Sequence, residues 1–377
     1  MTFTAPAPSR RSTPIAAEHL PSPSDPRYRL VMMRLTFARS TATRRSTARR
    51  STFAPLVAWA ALAALCAACS DDTPQSADGG GVRDTINRPR PDVVGHDLQV
   101  GPPTKVTIAT FNLHNFFDAE DDPNTDDDVL KASKVQKKVS LVGAALRRLD
   151  ADVVALQEIE NRALLDRLVK EQLAQQGYEH LHLQPGNDPR GINVAFLSRI
   201  PVTRVTSHAN DYFKSLEPGD SKNYRFSRDC LEVELEPSKN RRLVVLVNHL
   251  RANDGSKLAT RTREAQANRL REIVDAVLKW TPDANIAIVG DLNDGPESRT
   301  LKLIREGTPP LKELLAGQSL NQRYTTFYQG NKSQIDYILT SPGLTADLDA
   351  GSAKALHDDV YSAASDHFPV IASFTVE

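Results

Sequence analysis

The chain has 377 residues, 25% of them charged and 40% hydrophobic, so it can bury a sizeable core and wholesale disorder is excluded. The formal net charge is zero but unevenly placed: residues 1–68 carry ten Arg against only Glu18 and Asp25, a balance of +8, which leaves −8 on the remainder. That negative remainder excludes a broad electrostatic attraction to a polyanion, so nucleic acid would need a local basic face or bridging divalent ions.

The front end has the anatomy of an export signal. Arg44, Arg45, Arg49 and Arg50 precede an apolar run from Phe53 to Ala68, 16 residues long and short for a membrane span. Leu65-Cys66-Ala67-Ala68-Cys69-Ser70 is similar to a bacterial lipoprotein cleavage site, with Cys69 as the lipidated first residue, although Cys66 stands where Leu is usual. Plain signal-peptidase cleavage is the alternative. Lipidation would leave Cys230 with no partner for an internal disulfide. Residues 69–103 are rich in Asp, Gly, Pro and Ser, lack periodicity and read as a flexible linker. One folded domain is expected over 104–377, acting as a monomer.

Within that domain, apolar alternation from Lys105 to Asn112 predicts a strand that delivers Asn112, His114 and Asn115 at its end. The loop Asp118 to Asp128 holds seven acids. It could hold a structural Ca2+ but lacks EF-hand spacing, and a solvated acidic loop is the simpler reading. Helical spacing of Val135, Val139, Val142 and Leu146 predicts a helix over Val129–Leu149, and Asp152–Gln157 a strand ending on Glu158. A helix over Asn161–Gln176, stopped by Gly177, and strands over Tyr178–Leu183 and Ile192–Leu197 follow, the last two separated by the turn Asp188-Pro189-Arg190-Gly191. Asp229–Leu235 and Leu243–Val247 read as paired strands, the second ending on Asn248-His249; Arg261–Trp280 reads as a helix. The run Ile286-Ala287-Ile288-Val289 stops at Gly290, and Asp291 and Asn293 then project together from the strand exit. Asp336 lies among Ile335, Tyr337 and Ile338, where a lone acid is costly without a partner, and Asp366-His367 stand just before a last strand. Strands follow one another directly in places and alternate with helices in others, which predicts mixed or antiparallel sheets with helices on their outer faces.

Each of these polar residues has a bland reading as a surface group or a satisfied core residue. Together they repeat one pattern, an apolar strand with a polar tip. Carboxylate and amide oxygens gathered with two imidazoles suit Mg2+ or Mn2+, whereas zinc would ask for more His or Cys. Such a site suits phosphoryl chemistry.

The ordered motifs Thr110-Phe111-Asn112-Leu113-His114-Asn115, Leu156-Gln157-Glu158-Ile159, Asn248-His249-Leu250, Gly290-Asp291-Leu292-Asn293-Asp294, Gln334-Ile335-Asp336-Tyr337-Ile338 and Ser365-Asp366-His367-Phe368-Pro369-Val370 resemble the endonuclease/exonuclease/phosphatase superfamily, the deoxyribonuclease I-like fold. The resemblance implies a four-layered α/β sandwich, two packed mixed β-sheets flanked by helices. It assigns Asn112, Glu158 and Asp366 to metal binding, and Asp291 to positioning the attacking water. Asn293 would hold phosphate, His249 would contact phosphate as a general acid, and Asp336 would keep His367 cationic against the scissile phosphate. Arg190, Asn248 and Arg251 would contact substrate. His114 occupies the slot where abasic-site endonucleases carry Asp, which disfavours that repair role. Asn193 replaces an acid expected after Gly-Ile, so Asp188 or Arg190 would support His249, or nothing does.

The expected activity is a metal-dependent phosphodiesterase, first an exported nuclease on DNA or RNA. The alternatives are a phospholipid or inositol-phosphate hydrolase with a lipid anchor at Cys69, and a silent binding module.

Overall fold

The computed structural model describes residues 100–377; the export signal, Cys69 and nearly all of the expected linker lie outside the described residues. In chain order the elements are β1 (Thr104–Phe116), α1 (Ala132–Leu149), β2 (Val153–Ile159), α2 (Arg162–Leu168), β3 (His180–Gln184), β4 (Asn193–Ser198) and β5 (Val202–Ser207). A small ribbon of β6 (Phe213–Lys214) and β7 (Asn223–Tyr224) leads to β8 (Cys230–Leu235), β9 (Leu243–His249), α3 (Lys257–Trp280), β10 (Asn285–Asp291) and α4 (Arg299–Arg305). Then come β11 (Lys312–Glu313), α5 (Leu320–Arg323), the hairpin of β12 (Thr326–Tyr328) and β13 (Asn331–Ser333), β14 (Asp336–Thr340), α6 (Pro342–Ala346), β15 (Lys354–Ala355), α7 (Asp359–Ala364) and β16 (Val370–Val376).

Two six-stranded sheets form, in the orders β15-β16-β1-β2-β4-β3 and β11-β14-β10-β9-β8-β5. Both are mixed: β1 runs parallel to β2 and antiparallel to β16, and β10 runs parallel to β9 and antiparallel to β14. The period of two sorts the side chains. Val106 and Ile108 of β1, Val153 and Ala155 of β2, Val245 and Val247 of β9 and Ala287 and Val289 of β10 all enter one core between the sheets. The alternate residues face outward: Ala109 and Phe111 pack with α1, and Val244, Leu246 and Ile288 pack with α3. Each fully buried aliphatic side chain contributes about 1.5–3 kcal/mol. The result is the expected four layers of helix, sheet, sheet and helix. No helix among the described residues is long and apolar enough to cross a membrane.

Some boundaries move for local reasons. The α3 helix begins a turn before the expected Arg261, because Ser256 caps it by accepting the Ala259 N–H at 3.0 Å. Asn161 stays outside α2 as its cap, and beyond Leu168 the helix widens into a π turn over Val169–Leu173, which presents the Gln172 carbonyl to Arg147 at 2.6 Å. The acidic loop forms no regular element and brings no three donor groups together. At its start β1 pairs Thr104 with Val376, and Gly101 N–H bonds the Lys239 carbonyl, so the polypeptide enters the domain at the end of the sheet opposite Asn112.

Candidate active site

The inward-facing series that builds the core changes character at one end. Along β1 it reads Val106, Ile108, Thr110, Asn112; along β9 it ends on His249, along β10 on Asp291, and β14 begins on Asp336. The register aligns Asp291 with His249 on one side and with Asp336 on the other, so three neighbouring strands set them in one row. Gly290 makes the close strand packing possible: its φ is +132°, and a Cβ there would lie 2.0 Å from the Asn248 carbonyl oxygen. Asn112 completes the row from the other sheet, its Nδ2 donating to Asp291 Oδ2 at 3.0 Å and to Glu158 Oε1 at 3.4 Å.

Glu158 arrives differently. Both neighbours of β2 skip it in the register, a bulge with φ +60° at Glu158 itself, and this re-aims a side chain that strict alternation would send to the helix layer. Its Oε2 accepts the Asn115 N–H at 2.7 Å. His114, Asn115, Glu158 and Asn293 all hold positive φ, a conformation disfavoured for side-chain-bearing residues and held here by the surrounding bonds. Asn293 N–H bonds Asp291 Oδ1 at 2.8 Å, and its amide donates to the Leu250 carbonyl at 3.1 Å.

The two imidazoles differ in charge. His367 Nδ1 donates to Asp336 Oδ2 at 2.8 Å, and its Nε2 lies 4.0 Å from Asp291 Oδ2. Burial opposes its charge, but Asp336, Asp291 and Asp366 outweigh burial and raise its pKa to about 10. His249 Nε2 lies 3.5 Å from Asp291 Oδ2 and 3.9 Å from Glu158 Oε1. Complete burial, then Arg228, His367 and Arg190, holds its pKa well below the ordinary value. A neutral His249 donates one hydrogen bond but lacks the extra proton that the expected general-acid role requires. Burial, followed by the charge of Asp336, raises the Asp291 carboxyl to about 7.

Other expected residues are placed apart. Asp366 is exposed and pairs with His114 Nδ1 at 2.6 Å, outside the group of Asp291, Asp336 and His367, although its charge still acts on His367. Asn248, one residue out of phase with His249, lies on the strand face that packs toward α3, and its Nδ2 bonds the Leu246 carbonyl; it is not offered to substrate. Arg251 pairs with Asp254 at the surface. Arg190 reaches Asn115 Oδ1 at 3.3 Å and stands at the rim. Asp188 binds buried Arg228 at 2.7 Å, and Asn193 braces its loop through Gly186, Glu160 and Gly191, so neither supports His249, whose Nδ1 is buried without a partner.

Three supporting residues were given no role by the sequence reading, although Ser365 opens one of its motifs. Thr325 Oγ1 accepts the Ile335 and Asp336 N–H groups, Ser365 Oγ donates to the Asn112 carbonyl and accepts the His367 N–H, and Lys138 Nζ bonds the His114 and Ala364 carbonyls. Each joins segments far apart in sequence, so no local spacing announces it.

Asp291, Asp336 and His367 offer ligand atoms within 4.8 Å of one another, the one such group among the described residues. His367 is already committed as a charged partner of Asp336, however, and a second cation would be repelled there. Glu158 is a part-buried acid beside the Asn112 amide, which also bonds Asp291. Hard oxygen donors with one or two carboxylates fit Mg2+ or Mn2+, which keep several waters. The residues therefore fit such an ion at Glu158 and Asn112.

A model described as Endonuclease/Exonuclease/phosphatase family matches residues 107–359. No curated protein matches the sequence. Among solved structures, the human Nocturnin catalytic domain with bound sulfate anion is similar at a TM-score of 0.54 and 18% identity, over 72% of this chain and 95% of that one. An endonuclease/exonuclease/phosphatase from Beutenbergia cavernae gives 0.52 and 20% over 72% of each chain. Truncated Caenorhabditis elegans TDP2 gives 0.50 and 18% over 72% and 98%. At these identities the likeness shows the fold.

Proposed function

The chain belongs to the endonuclease/exonuclease/phosphatase family, hydrolases acting on phosphoester bonds, and on that premise we propose that it is a divalent-metal-dependent phosphodiesterase acting on nucleic acid outside the cytoplasm. The observation that carries the chemistry is the row His249, Asp291, Asp336 closed by Asn112, with cationic His367 against it. Asp291, fixed by Asn112 and by Asn293 N–H, orients the attacking water and takes up its proton as the P–O bond to the leaving alcohol breaks, and that oxygen takes a proton from solvent. His367, kept charged by Asp336, donates from Nε2 to a phosphoryl oxygen, and neutral His249 adds one uncharged hydrogen bond. Asn112 and Glu158 would hold the ion, which when bound neutralises charge developing on the phosphate.

Purified protein is expected to cleave DNA, RNA or an aryl phosphate diester with added Mg2+ or Mn2+ and to stop in chelator. Glu158→Gln should raise the metal concentration needed for half-maximal rate by about tenfold or more, in line with the loss of one charged ligand. Turnover that ignores chelator would sink the metal assignment. Cleavage of sphingomyelin or inositol polyphosphate, with nucleic acid untouched, would move the substrate to the lipid class.

The export reading rests on the apolar run Phe53–Ala68 and on Cys69. Mass spectrometry of the mature protein from a bacterial host should find an acylated N-terminus at Cys69. A chain that still carries the apolar run Phe53–Ala68 would overturn it.

A further inference from the structure

Beside the active site lies a cleft of about 680 Å³ that runs from Asn293 and Asp294 to Arg323 and Lys332. Its outer wall is the β12–β13 hairpin, and the hairpin is joined to the catalytic pair. Thr326 bridges His367, Thr325 O accepts the Phe368 N–H at 2.7 Å, and Thr325 N–H bonds the Ser333 carbonyl at 2.8 Å. Whatever the cleft holds is therefore held in register with His367.

Resting on the phosphodiesterase reading above, we propose that this cleft takes the nucleotide next to the scissile phosphate, with an unpaired base on Phe327 and the following phosphate at Arg323 and Lys332. The substrate is then single-stranded nucleic acid. Phe327 stands outside the cleft lining, but it is 56% exposed and pairs in register with Lys332, which lines the cleft, so the two share one face of the hairpin. Lys332 Nζ sits 4.3 Å over the Tyr324 ring, which stacks on His357 at 3.9 Å, and this gives the cation a rigid seat. Arg323 is held by Gln334 Oε1 at 2.8 Å, while its buried Nε has no partner. The one acid in the cleft, Asp294, is occupied by Arg263 and Thr300 and opposes a phosphate less than a free carboxylate would.

An aromatic face beside cations is the arrangement that binds single strands, because every base offers a π-face. In a duplex that face is covered, and exposing it costs a few kcal/mol of unstacking. Two cations suit a short strand contact on a domain whose overall balance is negative, whereas a duplex would call for a wide basic surface. A membrane is the poorer occupant, since the hairpin tip is Gln329-Gly330-Asn331 and its described exposed aromatic is Phe327 alone.

The test uses the full protein and its Phe327→Ala, Phe327→Trp and Lys332→Ala variants. The substrates are a single-stranded DNA, the same sequence as RNA, the duplex, and bis(p-nitrophenyl) phosphate. The wild type should prefer the single strands. Phe327→Ala should lose about tenfold in kcat/KM on them, mostly through KM, with a smaller loss on the aryl diester and recovery in Phe327→Trp. Anisotropy of a labelled non-cleavable strand gives the same comparison without turnover, so an inactive preparation tests the cleft separately from the phosphodiesterase reading. Equal losses on strand and aryl diester, unchanged strand affinity in Phe327→Ala, or loss of phosphatidylglycerol-vesicle binding with strand affinity intact would each overturn the proposal.

Discussion

Asp291→Asn lowers phosphodiester turnover by about two to four orders of magnitude, the range for removal of a positioned base, and the folded protein survives the change. The carboxylate stands at the centre of the row, 2% exposed, with Asn112 Nδ2 and the Asn293 N–H as its hydrogen-bond donors. Asparagine keeps the shape and loses the charge. Stability should move the other way. In chelator the Asp291 carboxyl is raised to about 7, by burial first and by Asp336 next, so the folded state binds its proton more tightly than the unfolded chain does. Ionising it therefore weakens the fold as pH climbs from about 4 through about 7. The variant should melt at or above the wild-type temperature near pH 8, with a smaller difference near pH 5. Steady-state rates and melting curves at both pH values check this. A variant that loses activity because it no longer folds would refute the assignment.

Asp336→Asn should cost about two to three orders of magnitude in rate, for a different reason, and should also cost stability. In the wild type His367 has its pKa raised to about 10: burial opposes the charge, and Asp336 at 2.8 Å more than restores it. That contribution to stability is complete below the unfolded-state value of about 6.5 and is lost as pH rises through about 10. Without the carboxylate, burial prevails, the imidazole gives up its proton at neutral pH, and the phosphate loses its cationic partner. The residual activity of Asp336→Asn should lose the alkaline limb that the wild type holds, falling off at a lower pH as His367 gives up its proton. Removal of one member of a buried pair typically costs about 3–5 kcal/mol. The two substitutions thus make opposite statements about stability from neighbouring positions. A pH–rate profile of Asp336→Asn that superimposes on the wild type would remove His367 from the mechanism.

What the sequence made legible follows from periodicity. Asn112, His249, Asp291 and Asp336 sit in phase with apolar residues on their own strands, so a two-residue period both forms the core and points these groups to one end of it. The ordered motifs led to the family, and the family match and the two mixed sheets agree with that reading. Residues out of phase with the apolar series are placed elsewhere. Asn248 adjoins His249 in sequence but lies on the other face of β9, and Asp366 adjoins His367 yet turns outward to His114. Glu158 reaches the site through a bulge that alternation cannot foresee. The hairpin beside His367 was unread because strands of three residues give no periodic signal, and its place is fixed by contacts with distant Thr325 and Phe368.

The pairing of Thr104 with Val376 at the foot of β1 has a practical meaning for anyone handling the molecule. Eight residues of extended chain, about 26 Å, separate that pole from Asn112. Val100 and Glu377 line the same depression there, so a dye, a bead or a fused reporter coupled at Glu377 sits at the back of the sandwich. The catalytic mouth then faces open solution, and even a long polymer reaches it without passing the attachment.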